Sequence, residues 1–446
     1  MPFFVMKRRF LLLILHCASK KCKILIEVKK YGKDKRRNQM KKRYLLAVVI
    51  LLFAFNINAF ASEETPQRNV NECLDVAIEI IEEYLMTVNE SQEFYTTIDT
   101  DITSDLQEYL NVKSIVDSYI IEKINGEKEN YMISYKLLNS FQDKNKVFLD
   151  ILITATFNYM DLSDVESGYS KLSRVEFTIV DDEYILSDWF TEFDTFDEKI
   201  RVSSRARNLS EITLNDFNGI DSINSSLYDD VKIEIISYFE NDEHILTEQD
   251  FALGVESKNV VQARAALINR TNVKNYALNY AKSSAPSSGR SGVYYYDFSQ
   301  ISGNWDCTNF VSHCLLAGGA TPYKQSSGNG WYYNSLSDRS ASWSGVPNLY
   351  NFLTTNTTKG PSGWGNSYAL FNPNSNYPCN EGDIIQFYNG SVWRHSSIVT
   401  GWYMNGSLMG ALATGRSGVG QYNYNQKAEE IYAGYSKRCI VLSYNY

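Results

Sequence analysis

Histidine is scarce in this chain: His16, His244, His313 and His395 are the only four in 446 residues. Cysteine numbers seven, and no pair has zinc-site spacing, so a His/Cys metal cluster is excluded and no metal or other cofactor is expected. Cys73, Cys307, Cys314, Cys379 and Cys439 follow residue 61. So few cysteines make no disulfide framework, and their odd number leaves at least one thiol free. Cys379 and Cys439 read either as a pair or as two inert thiols. Eight prolines and 25 aperiodic glycines exclude collagen-like and proline-rich sequence. A chain 44% hydrophobic and 21% charged is not disordered throughout, and its length suits two to three domains. A net charge of −9 argues against nucleic acid as a partner.

That charge is unevenly spread. Residues 1–61 carry +13, residues 62–264 carry −27 and residues 265–446 carry +5. Twenty of the 25 glycines, and every tryptophan except Trp189, fall after residue 264. Two compositional breaks at one place mark a domain boundary.

The basic stretch Met40-Lys41-Lys42-Arg43, the apolar run Tyr44 to Phe55 and Ala59-Phe60-Ala61 have the pattern of a secretory signal peptide cleaved after Ala61. The alternative is an uncleaved anchor over 44–61, for which the apolar run is short. Residues 1–39 form a further basic leader. Either Met40 is the true start or the leader is long.

The acidic middle carries no catalytic signature. Apolar spacing predicts an amphipathic helix over Glu72 to Met86, and alternation predicts a half-buried strand over Val147 to Tyr159. Arg174 to Val180, Asp181-Asp182-Glu183 and Tyr184 to Phe190 read as a hairpin, and Ile223 to Phe239 as a further helix. The expectation is a separate acidic α+β domain over 62–220, of cystatin-like or NTF2-like shape, with a helical linker over 221–264. Asp194, Asp197 and Glu198 read as a solvated acidic face rather than a cation site.

The chemistry lies in 265–446. Arg270 to Lys282 reads as a helix, and a Ser/Gly/Pro loop follows from Ser283 to Gly292. In Gly303-Asn304-Trp305-Asp306-Cys307-Thr308-Asn309-Phe310-Val311-Ser312-His313-Cys314, a turn leads into a buried helix that Gly318-Gly319 ends. Cys307 then sits at the helix N-terminus, where free amides and the dipole favour a thiolate nucleophile. Cys314, on the apolar stripe, reads as a core thiol. A thiolate nucleophile needs a proton carrier. His313 points to another face of the helix, which leaves His395, at the start of a strand running to about Trp402. Gly382-Asp383 opens the strand before it. A helix-start Cys followed by a strand-start His is the order of papain-like enzymes.

The string Asp306-Cys307-Thr308-Asn309-Phe310-Val311-Ser312, with Gly318-Gly319, Ser342-Trp343, Gly382-Asp383 and His395-Ser396…Ile398-Val399-Thr400, resembles the bacterial "putative amidase domain" family. That family is related in pattern to the NlpC/P60 and CHAP cysteine hydrolases of cell walls. The resemblance covers about 265–446. It implies a papain-like (NlpC/P60-type) α+β domain, with Cys307 as nucleophile and His395 as general base in amide hydrolysis through a thioester. The Cys307 N–H would be one oxyanion donor, with Asn304 or a residue of Tyr294 to Tyr296 the second. Asp306 fits a turn or cap better than an acid–base role. Two departures stand out. His313 replaces a usual glutamine, and Ala413-Thr414 stands where relatives carry His-Thr. The group orienting His395 is thus Thr414, Asn423 or a backbone carbonyl, or the site is a dyad.

The expected function is a secreted or wall-associated cysteine amidase or peptidase acting on cell-wall peptide or peptidoglycan. The alternative is a catalytically weak or inactive wall-binding module of the same fold. Membrane contact would come only through the leader. A +5 domain suits an anionic wall, and the −27 segment would then be a spacer or regulator.

Overall fold

The computed structural model describes residues 66–90, 92, 94, 102–202, 213–240, 266–282, 298, 306–325, 330–374 and 377–445. The leader, the signal-peptide pattern, Tyr294 to Tyr296 and Asn304 lie outside the described residues.

The middle segment opens with α1 (Pro66–Asn89) and α2 (Ser104–Lys123). The antiparallel strands β1 (Lys128–Asp143), β2 (Lys146–Tyr159), β3 (Glu166–Val180) and β4 (Glu183–Thr191) follow, then α3 (Thr195–Arg201) and α4 (Ser226–Glu240). The alternation read in the sequence holds along β2: Val147, Leu149, Ile151, Ile153, Ala155, Phe157 and Tyr159 are all buried. Asp150, on the other face, is buried as well, because Arg174 Nε donates to it at 2.7 Å. The hairpin between β3 and β4 turns at Asp181-Asp182, both with positive φ (51° and 66°), the two-residue turn whose twist matches the strands. Helix α4 is no bare linker: its Tyr228, Val231 and Ile235 join the core formed by α1, α2 and strands β2 to β4.

The C-terminal segment comprises β5 (Ala266–Leu267), α5 (Arg270–Tyr280), α6 (Asp306–Ala317), β6 (Tyr323–Lys324), β7 (Gly330–Trp331), α7 (Ala341–Ser344), α8 (Val346–Thr355), β8 (Pro361–Tyr368), β9 (Ile384–Tyr388), β10 (Trp393–Asn405), β11 (Leu408–Arg416), β12 (Tyr422–Lys427) and β13 (Lys437–Asn445). Helix α6 is buried along its whole length. Its Phe310, Val311, Cys314 and Leu315 pack with Ile384, Ile398, Ile440 and Leu442 on one face of the sheet. A second cluster, with Ile385, Phe387, Val399, Cys439 and Tyr432, covers the opposite face.

The two segments are not separate, contrary to the expectation. Strand β3 pairs with β12 (Ser170↔Tyr422, Tyr169↔Asn423, Gly168↔Tyr424), which joins both sheets into one of eleven strands. Residues 67–446 form one compact unit. A shared cluster of Ala155, Phe157 and Tyr159 with Tyr403 and Leu412 seals the seam. Lys427 of β12 is fully buried against the middle segment, with Nζ 2.9 Å from the Asp161 carboxylate. Past the seam β3 forks. Its later residues, 173–180, pair with β4 instead. At the fork the Leu172 N–H donates to Gln421 Oε1 and the Leu172 carbonyl accepts from Glu192 N–H.

Candidate active site

Helix α6 begins at Asp306, two residues before the Thr308 start read from apolar spacing, and a buried chain of polar contacts fixes its first turn. Trp343 Nε1 donates to Asn309 Oδ1 at 2.7 Å, Asn309 Nδ2 donates to Asp306 Oδ1 at 2.9 Å, and Asp306 pairs with Arg416 at 2.8 Å. Asp306 is thus committed to structure. Its negative charge also disfavours a thiolate on the neighbouring Cys307. The helix stops at Gly318-Gly319, where Gly319 has φ 93°, a conformation that glycine adopts without strain. Cys314 is wholly buried, and burial holds its thiol far above the ordinary range.

Cys307 lies at the edge of β10. Pairing of β10 with β11 ends at Ile398↔Thr414, so the backbone groups of Arg394 and Ser396 are outside that ladder. The sulfur fills this gap: Sγ is 3.9 Å from the Arg394 carbonyl and accepts from the Ser396 N–H. Burial raises the thiol pKa, and bonds from Thr308 and Ser396 oppose the rise.

His395 is the third residue of β10 rather than its first. Side chains on a strand alternate between faces. Ser396 and Ile398 face α6, with Ser396 Oγ 3.4 Å from Thr308 Oγ1. His395, Ser397 and Val399 therefore point to the opposite face, where the imidazole lies beside the rings of Phe387 (centroids 5.8 Å apart) and Phe193 (5.9 Å). The structure brings Cys307 to the backbone beside His395, but no hydrogen bond joins thiol and imidazole.

The imidazole instead bonds Asn423 and Ser417. Asn423 Nδ2 donates to the Ala413 carbonyl at 2.8 Å, which turns Oδ1 toward the histidine. That oxygen accepts from His395 Nε2 at 3.1 Å and from Ser397 Oγ at 3.2 Å. Nε2 therefore carries the proton, and Nδ1 keeps its lone pair, facing Ser417 Oγ at 3.4 Å. Burial lowers the His395 pKa to about 4, with Asn423 opposing and Arg394 reinforcing the shift. At neutral pH the pair is thiol and neutral imidazole. Thr414 does not serve the histidine. Its hydroxyl bonds Thr400 at 3.0 Å and accepts from Asn425 N–H.

The middle segment covers this face. Phe193, between β4 and α3, adopts φ 61° and places its ring beside His395. Glu198 of α3 lies 3.7 Å from Arg394, and Arg394 Nε donates to Tyr432 Oη at 3.1 Å. His395 and Cys307 are each only 5% exposed. A cavity of about 40 Å³ is lined by His395, Ser417, Asn423, Lys171, Phe193 and Tyr432, among others. Asp194, Asp197 and Glu198, read above as solvated, are mostly buried, Glu198 at this seam and Asp197 against Tyr109 within the middle segment. Asp194 caps α3 and pairs with Lys113 at 2.8 Å.

Residues 268–439 match the family model described as "Putative amidase domain". The C-terminal segment belongs to that family. No curated protein and no solved structure matches the chain. The amidase domain thus spans α5 to the start of β13 and contains Cys307, His395, Ser417 and Asn423. Its family points to hydrolysis of amide bonds. Of the groups around its histidine, the sequence offered Asn423 as one of three candidates. Ser417, Tyr432 and Phe193 carried no local signal, because their roles arise from pairing across the sheet.

Proposed function

We propose that this protein is a cysteine amidase or peptidase of papain-like type, exported to act on cell-wall peptides. The supporting observation is a cysteine at the start of a buried helix, set against the strand that carries a neutral histidine held by Asn423. Neutral imidazole is the form that can take a proton. When Nδ1 turns toward Cys307, it accepts the thiol proton and the sulfur attacks the amide carbon. The oxyanion forms beside the Cys307 N–H, and the imidazolium returns its proton to the leaving amine. Water, deprotonated by the same nitrogen, then hydrolyses the thioester.

A second reading, a wall-binding module with weak or no activity, is favoured by one observation: no hydrogen bond joins thiol and imidazole. Alkylation mapping with iodoacetamide, together with release of amine from isolated wall peptides, separates the two. Selective Cys307 labelling, with hydrolysis abolished in Cys307→Ala, supports the amidase. Wall binding without hydrolysis in both proteins supports the module.

A further inference from the structure

The imidazole of His395 is tethered at both nitrogens, and only one tether has a role in the proposed reaction. Asn423 fixes the proton on Nε2. The second tether, Ser417 Oγ, occupies Nδ1, the nitrogen that Cys307 needs. Ser417 has no other side-chain hydrogen bond among the described residues. Its backbone N–H is held by the Gln421 carbonyl at 2.8 Å, and Gln421 reaches across the seam to Glu192 at 2.9 Å. The hydroxyl therefore sits on a loop that the middle segment braces.

We propose that Ser417 is a positioning residue that occupies the basic nitrogen of His395 and so keeps it from the Cys307 thiol. The inference deepens the cysteine-amidase reading and names what must yield before the thiol is activated. The hydroxyl donates to the Nδ1 lone pair, so the nitrogen is occupied and the ring stays turned to Phe387 and Phe193. Removing the hydroxyl frees Nδ1 and leaves the ring on a single tether, able to swing to the strand edge where the sulfur lies. An imidazole beside a thiol stabilises the thiolate.

The charged and titratable neighbours are few. Arg394, Lys171 and Glu430 stand around His395, with Glu198 and Tyr432 behind Arg394. Asp306, with its partner Arg416, and Tyr432 stand around Cys307. None of them is altered by a change at Ser417.

The test uses the full chain and iodoacetamide, with Cys307 labelling followed by peptide mass mapping from pH 5 to 10. Ser417→Ala should lower the midpoint of labelling by about one pH unit, and so speed labelling at pH 7 by about tenfold. Ser417→Thr, which keeps the hydroxyl, should retain the wild-type profile. Ser417→Val, its isostere without the hydroxyl, should follow Ser417→Ala, so the comparison survives if one variant folds poorly. Alanine and valine profiles within twofold of wild type would overturn the proposal. So would loss of amide hydrolysis in Ser417→Ala with retention in Cys307→Ala, which would make Ser417 the nucleophile. Labelling needs no substrate, so this inference and the amidase reading fail separately. Faster labelling in a protein that hydrolyses nothing keeps the first and removes the second.

Discussion

Acidification should weaken the fold through His395, and the size of the effect follows from its burial. The imidazole titrates near its ordinary value of 6.5 in the unfolded chain and at about 4 in the folded one. Between those values the unfolded chain binds the extra proton, so stability rises with pH and is lost as pH falls through 6.5 toward 4. One pH unit in this window is worth about 1.4 kcal/mol, so the step from pH 7 to pH 5 removes about 2 kcal/mol.

A single stability curve hides this, because buried acids act the other way. Burial and the neighbouring Asp194 raise the Asp197 carboxyl, so the folded chain holds its proton to higher pH. Its contribution falls as pH rises. The assay is therefore a difference. Urea unfolding of wild type and His395→Gln is measured at pH 7 and pH 5, and the two pH effects are subtracted. Wild type should lose about 2 kcal/mol more than the variant. If both lose the same amount, the histidine is not buried in its neutral form.

Three further outcomes are expected. Asn423→Ala removes the acceptor of His395 and Ser397 and the donor to Ala413, so urea unfolding should show a loss of about 3 kcal/mol; a loss below 1 kcal/mol would contradict the network. Glu198→Ala removes the buried carboxylate beside Arg394, with an expected cost of about 3 kcal/mol by the same measurement, and an unchanged midpoint would show that the remaining contacts of the guanidinium suffice. Phe193→Gly relieves a positive φ, worth about 1 kcal/mol, while uncovering the imidazole. Diethyl pyrocarbonate should then modify His395 faster than in wild type, and an equal rate would mean that Phe193 does not shield it.

Much of this protein is written locally. The α6 helix, its glycine stop, the β2 alternation and the Asp181-Asp182 turn all follow from spacing and backbone preference within a few residues. So do the places of Cys307 at the helix start and of Cys314 on its apolar stripe. The compositional break near residue 264 is equally real, yet it misleads about separation. Composition reports surface charge and loop content, whereas β3 and β12 pair through backbone groups that any sequence supplies. Their partners are some 250 residues apart, and no window along the chain contains both. For the same reason the sequence named a cysteine and a histidine but not their relation. Strand alternation sends His395 to the face opposite Ser396, and only the packed sheet decides that Asn423 and Ser417 receive it, with Phe193 of the acidic segment over the top.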